Sequence, residues 1–182
     1  MATTNGKSQH IMPPLKTHTL LFVTQMSLRV FATAATLAAT WIMLSIKQTS
    51  LVFGIEFEAR YSYSPAFKFF AYANLLSCIS TFLSLFIAFI LGRKTVDPTY
   101  YFYMFLHDLI MTVLLMAGCA AATAVGYVGK YGNSHSGWMA VCGYFAKFCN
   151  RAEAASLLSY LGFFSYLILT VISANKSRYI QS

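Results

Sequence analysis

Residues 99–128 read TYYFYMFLHDLIMTVLLMAGCAAATAVGYV, and Asp108 is their only charge. Thirty residues wound as an α-helix reach about 45 Å, more than the ~30 Å hydrocarbon thickness of a bilayer. The run is apolar on both odd and even positions. That excludes the alternating pattern of a barrel strand. Backbone groups in lipid must be bonded within their own segment, so the stretch is expected to be a transmembrane helix.

Three further runs follow the same logic, at about 20–46 (one charge, Arg29), 69–91 (none) and 154–175 (none). Composition agrees. Hydrophobic residues make up 58% of the 182-residue chain and charged residues 10%, where soluble domains carry about 25%. The expected fold is an all-α integral membrane four-helix bundle. It divides into a tail over 1–19, a four-span domain over 20–178 and a short end over 179–182. The tail is polar, holds Pro13-Pro14, and is expected to be disordered. The apolar run after it is too long, and lacks a cleavage site, for a secretory signal peptide.

The net charge of +8 does not point to nucleic acid. The basic residues stand singly or in pairs between apolar runs and make no stripe. Counted with both termini in the cytosol, they do not orient the chain either. Lys7, Lys16, Arg93, Lys94, Lys176 and Arg178 fall inside, and Lys47, Arg60, Lys68, Lys130, Lys147 and Arg151 outside. Cysteines orient it better. Cys142 and Cys149 sit in the loop between spans three and four, where an oxidising compartment would join them as a disulfide. That places the loop outside and the termini in the cytosol. Cys78 and Cys119 lie within spans, where a thiol acts as a small apolar side chain.

Arg29 and Asp108 are opposite charges at similar depth in parallel spans, roughly 14 Å in from the cytosolic edge. Each alone costs at least ~2.5–3.5 kcal/mol to insert. They are expected to form an intramembrane ion pair. Small residues beside them, Ala32 and Thr36 in span one and Gly118, Ala122 and Gly126 in span three, are expected to form a packing face that lets helices approach closely. A structural pair that fixes helix register accounts for the two charges more simply than a proton or ion path. Such a path needs more than one mutually neutralising pair, and spans two and four add no charge.

Enzymatic chemistry has no support in the sequence. No nucleophile stands with a base, no carboxylates pair, and no glycine-rich phosphate loop occurs. His107 adjoins Asp108, but His10, His18 and His135 lie outside the spans, so no ligand set for a metal or haem forms at its depth. No cofactor is expected, and the bilayer is the first partner.

Several motifs together carry a resemblance. Tyr63-Ser64-Pro65-Ala66-Phe67-Lys68 with Tyr72-Ala73-Asn74 is similar to the entry to span two of the CASP-like proteins, plant relatives of the Casparian strip membrane domain proteins. Leu106-His107-Asp108-Leu109, Ala120-Ala121-Ala122-Thr123-Ala124, the run from Gly126 to Asn133, Gly137-Trp138 and the stretch from Cys142 to Cys149 resemble the family's third span and second outer loop. Ile172-Ser173-Ala174-Asn175 resembles the end of its fourth span. The likeness is strongest to subgroup 1. It implies a MARVEL-like, four-span plasma-membrane protein with cytosolic termini that forms homo- and hetero-oligomers and recruits client proteins. It also implies that Arg29 and Asp108 occupy the family's charged positions. Casparian members carry a Phe-, Thr- and Gln-rich stretch in the first outer loop. Here that loop reads FGIEFEARY over 53–61, so the Casparian strip role itself is not implied. The expected function is a membrane scaffold. A small channel or transporter subunit is the alternative, and a transmembrane oxidoreductase using Cys142, Cys149 and His107 is a distant third.

Overall fold

The computed structural model describes residues 14–52, 54–91 and 98–181. Lys7, His10, Arg93, Lys94 and most of the expected tail therefore lie outside the described residues. Those that are described form four long helices, α1 (Pro14–Ser45), α2 (Pro65–Leu91), α3 (Pro98–Tyr131) and α4 (Ala146–Gln181). Between α1 and α2 stands an antiparallel hairpin, β1 (Lys47–Val52) and β2 (Ile55–Arg60). Short 3-10 turns follow at Tyr61–Tyr63 and Ser134–Ser136. All four helices are long and apolar enough to cross a membrane.

The helices run up and down in a square. α1 packs on α2 and α4, and α3 packs on the same two. Two diagonals result, α1 to α3 and α2 to α4. Lipid-facing positions such as Trp41, Phe82, Phe86, Val113 and Phe164 are exposed. Smaller and more polar side chains fill the interior, which suits a solvent as apolar as Leu itself. Threonine hydroxyls inside the bundle bond back to the carbonyl four residues earlier: Thr36 to Ala32 at 2.9 Å, Thr40 to Thr36 at 2.8 Å and Thr112 to Asp108 at 2.7 Å. Each hydroxyl thus satisfies itself without water.

Three features depart from the sequence expectation. α1 begins at Pro14, inside the expected tail, since proline suits a first helical turn where its missing N–H would have no partner anyway. α4 starts at Ala146, ahead of 154, because Lys147, Arg151 and Glu153 lower hydropathy without breaking a helix. The third is the hairpin, which was not foreseen. Val52 pairs with Ile55 across a two-residue connection, where Gly54 has φ 81°. Glycine takes that left-handed conformation without steric cost.

The bundle therefore has two unlike ends. One, here the terminal end, carries the start of α1 and the finish of α4. The other, the hairpin end, carries the hairpin and the α3–α4 loop. At the hairpin end the core is apolar, built from Ala39, Met43, Ile46, Phe67, Phe70 and Phe148, with Phe67 edge-on to Phe148 at 5.8 Å.

Candidate functional site: a polar centre across both diagonals

Arg29 Nη2 donates to Asp108 Oδ2 at 2.7 Å, and the two side chains are 4% and 0% exposed. All four helices join here. Arg29 Nη1 donates to Ser84 Oγ of α2 at 2.9 Å, and Ser173 Oγ of α4 donates to Asp108 Oδ2 at 3.4 Å. The second carboxylate oxygen lies 3.2 Å from His107 Nδ1. Charge-assisted bonds of this kind are roughly twice as strong as neutral ones. Here they also satisfy two ions that lipid could not.

One turn along α3 and α4, Thr112 and Thr170 hydroxyls meet at 3.3 Å. On the other diagonal, the fully buried Tyr166 of α4 reaches α2, where its hydroxyl donates to the Ser77 carbonyl at 3.0 Å and bonds the Thr81 hydroxyl. Long polar side chains thus bridge both diagonals, Arg29 from α1 to α3 and Tyr166 from α4 to α2. Sequence reading missed the second bridge. Tyr166 sits in a run of aromatics and carries no charge to single it out. Among the described residues, Asn74 Oδ1, Ser77 Oγ and His107 Nε2 are buried without a partner.

The small residues do not draw α1 and α3 together, because those helices are diagonal. Thr36 faces α4, and Ala32 lies in a buried cluster with Met111 and Leu115 of α3 and Tyr166 and Leu169 of α4. A Cβ built on Gly162 would stand 3.0 Å from Thr36 Cγ2 and 3.9 Å from the Ala32 carbonyl. Gly118 faces α2, 3.2 Å from Ala73 Cβ by the same measure. Ala122 is buried in the hairpin-end core. Gly126 has no atom within 4 Å of where its Cβ would be. The five small positions do not share one surrounding.

Cys142 and Cys149 are joined by a disulfide with Cα atoms 5.8 Å apart. Cys149 lies in the first turn of α4. Cys142 N–H donates to the Gly129 carbonyl at 3.0 Å, so the bridge ties the end of α3 to the start of α4. The hairpin joins this tie, since Phe148 N–H donates to Gln48 Oε1 at 2.8 Å. That bond satisfies one of the donors a helix start leaves open. Among the described residues, no three His, Cys, Asp or Glu side chains gather where they could hold a metal ion. Cys78 and Cys119 are free and buried, and Cys119 Sγ meets Ser159 Oγ at 3.2 Å.

Such a bundle, with apolar outer faces and an ion-paired polar centre, defines a multi-pass membrane protein. Residues 18–165 match the family model described as the Casparian strip membrane protein domain. The chain belongs to that family of plant membrane proteins. It is 53% identical over 169 residues to CASP-like protein 1F1 of Vitis vinifera, covering 93% of this chain and 82% of that one. It is 49% identical over 168 residues to CASP-like protein 1F2 of Populus trichocarpa, covering 92% and 93%. With CASP-like protein 1F1 of Ricinus communis it shares 51% over 169 residues, covering 92% and 94%. No solved structure matches.

Proposed function

We propose that the chain is a non-enzymatic plasma-membrane scaffold, with cytosolic termini and the hairpin end outside. It oligomerises with copies of itself and with related chains, and it recruits client proteins. One observation carries this reading. The charges of the interior neutralise one another in the terminal half, and an apolar core of Met43, Ile46, Phe67, Phe70 and Phe148 closes the hairpin half. A path for ions would need polar lining on through that plug. What the molecule offers to partners is then its outside: four apolar faces in the plane of the membrane and a braced loop cap above it.

The channel alternative draws on the same Arg29 and Asp108, and two measurements separate the readings. Tagged chain in the native membrane should sit in slowly diffusing patches, and chemical cross-linking there should yield oligomers. Purified chain in liposomes should pass no more ions or protons than empty liposomes. A flux abolished by Asp108→Asn, carried by freely diffusing chain, would overturn the scaffold.

Orientation has its own test. Asn175-Lys176-Ser177 is the sole Asn-x-Ser/Thr sequon in the sequence, and with a cytosolic C-terminus it should carry no glycan. His135→Thr completes a second sequon at the exposed Asn133 in the α3–α4 loop. That variant should gain a glycosidase-sensitive mass. A glycan on Asn175, with none at Asn133 in the variant, would invert the topology.

A further inference from the structure

At the hairpin end a half-enclosed groove of about 790 Å³ runs between β2, the α3–α4 loop and the last turns of α3 and first turns of α4. This volume is typical of a site for a small molecule. Phe57, Phe67, Val141, Phe145 and Phe148 line it, and Gly126 leaves its floor open. Two ion pairs stand among its lining residues, Glu58–Arg60 at 2.7 Å and Lys130–Glu153 at 3.5 Å, all four side chains partly exposed. Hydrogen bonding to Glu58 holds the Arg60 guanidinium above its ordinary pKa, so it stays charged.

We propose that this groove holds one acyl chain of a zwitterionic phospholipid from the leaflet on the hairpin side. Three observations converge on that occupant. First, the groove continues into the membrane-facing surface of α3, where Val125 and Tyr127 line it and are also exposed. A chain already in the leaflet needs no transfer through water to enter. Second, the walls are apolar, and a peptide laid there would leave backbone donors and acceptors unpaired. A methylene chain has none. Third, the charges at the groove come as two neutralised pairs. A head carrying a phosphate and an ammonium can meet Arg60 or Lys130 with one end and Glu58 or Glu153 with the other. An anionic head brings no ammonium, so its phosphate would draw Arg60 or Lys130 away from a carboxylate and leave that carboxylate unpaired. Gly126 then has a role that helix packing does not give it. It keeps the floor of the groove clear, at the usual cost of a glycine inside a helix.

This inference rests on the membrane-spanning fold and not on the scaffold reading. The test uses the full chain in bilayer nanodiscs with a phosphatidylcholine that bears a diazirine near the end of one acyl chain. Photolabelled peptides are then mapped by mass spectrometry. Labelling should concentrate on 122–129 and 141–149 relative to the lipid-facing side chains of α2, such as Phe82 and Phe86. Gly126→Leu fills the floor against no neighbouring atom and should cut groove labelling severalfold, leaving the α2 signal unchanged. Gly126→Ala should fall between. Labelling spread evenly over all lipid faces, or unaltered in both variants, would overturn the site. So would stronger labelling of the groove by a sterol probe. Equal labelling by a phosphatidylglycerol probe would overturn the choice of head group.

Discussion

Asp108→Ala should be the most damaging single substitution in the chain. It leaves the Arg29 guanidinium, in a residue 3% exposed, with only the Ser84 hydroxyl as its partner among the described residues. Breaking a buried pair costs ~3–5 kcal/mol in soluble proteins. A domain with ~5–15 kcal/mol of stability would lose a large part of it. Arg29→Ala should be similarly harmful, because the Asp108 carboxylate then keeps only weak donors. The expected result is a small fraction of monodisperse protein on size exclusion in detergent, a lower thermal midpoint, and less chain reaching its native membrane. Single variants that express, traffic and melt like the parent would show that the pair contributes nothing.

Two double variants show what kind of contribution it is. Replacing both partners by apolar residues of similar volume, Arg29→Met with Asp108→Leu, should be far milder than either single change, since apolar replacement of buried pairs is often neutral or stabilising. The pair would then act on register between diagonal helices more than on net stability. Reversing the charges, Arg29→Asp with Asp108→Arg, should recover part of the loss. Ser84 and Ser173 can each donate or accept, so both remain usable partners. Recovery would be incomplete, because a guanidinium rooted on α3 approaches the diagonal from the opposite side.

The four spans could be read in the sequence because lipid imposes one rule on every backbone group and one composition on every outer face. The partners Arg29 and Asp108 were also readable, because charge in a span is rare and depth along parallel helices can be counted. The diagonal was not readable. Equal depth places two residues in one layer of a bundle but does not say which helices are neighbours, so it could not show that Thr36 meets Gly162 of α4 and Gly118 meets Ala73 of α2. The hairpin escaped for a different reason. β2 alternates apolar and polar residues over IEFEAR, but β1 reads KQTSLV and does not, and between two long apolar runs so short a signal from one strand resembles a loop. Gly54 was its one local cue. Gly126 shows the limit of the small-residue motif itself. Spacing of four finds glycines on one helical face, but only the neighbours show whether that face meets a helix or a groove.

Loss of the disulfide should act locally but on three elements at once. Cys142 and Cys149 close a short ring. On the chain-entropy model such a ring contributes ~2–3 kcal/mol. That stability resides at the hairpin end, since the spans are held by their own backbone bonds and by the polar centre. With both cysteines changed to serine, helix content should be unchanged. The first turns of α4, around 146–151, should exchange amide hydrogens markedly faster. The hairpin should loosen with them, because Gln48 Oε1 bonds the Phe148 N–H only while that turn stays formed. The α3–α4 loop should follow through the Cys142 bond to the Gly129 carbonyl. Hydrogen exchange followed by mass spectrometry on peptides over 47–60, 129–145 and 146–153 measures all three together. If only the loop peptide speeds up, the bridge braces the loop alone and the hairpin depends on the apolar contacts beneath it. If parent protein from its native membrane yields both cysteines as alkylatable thiols before any reduction, the bridge is absent there. The case for an oxidising compartment on the hairpin side would then fall with it.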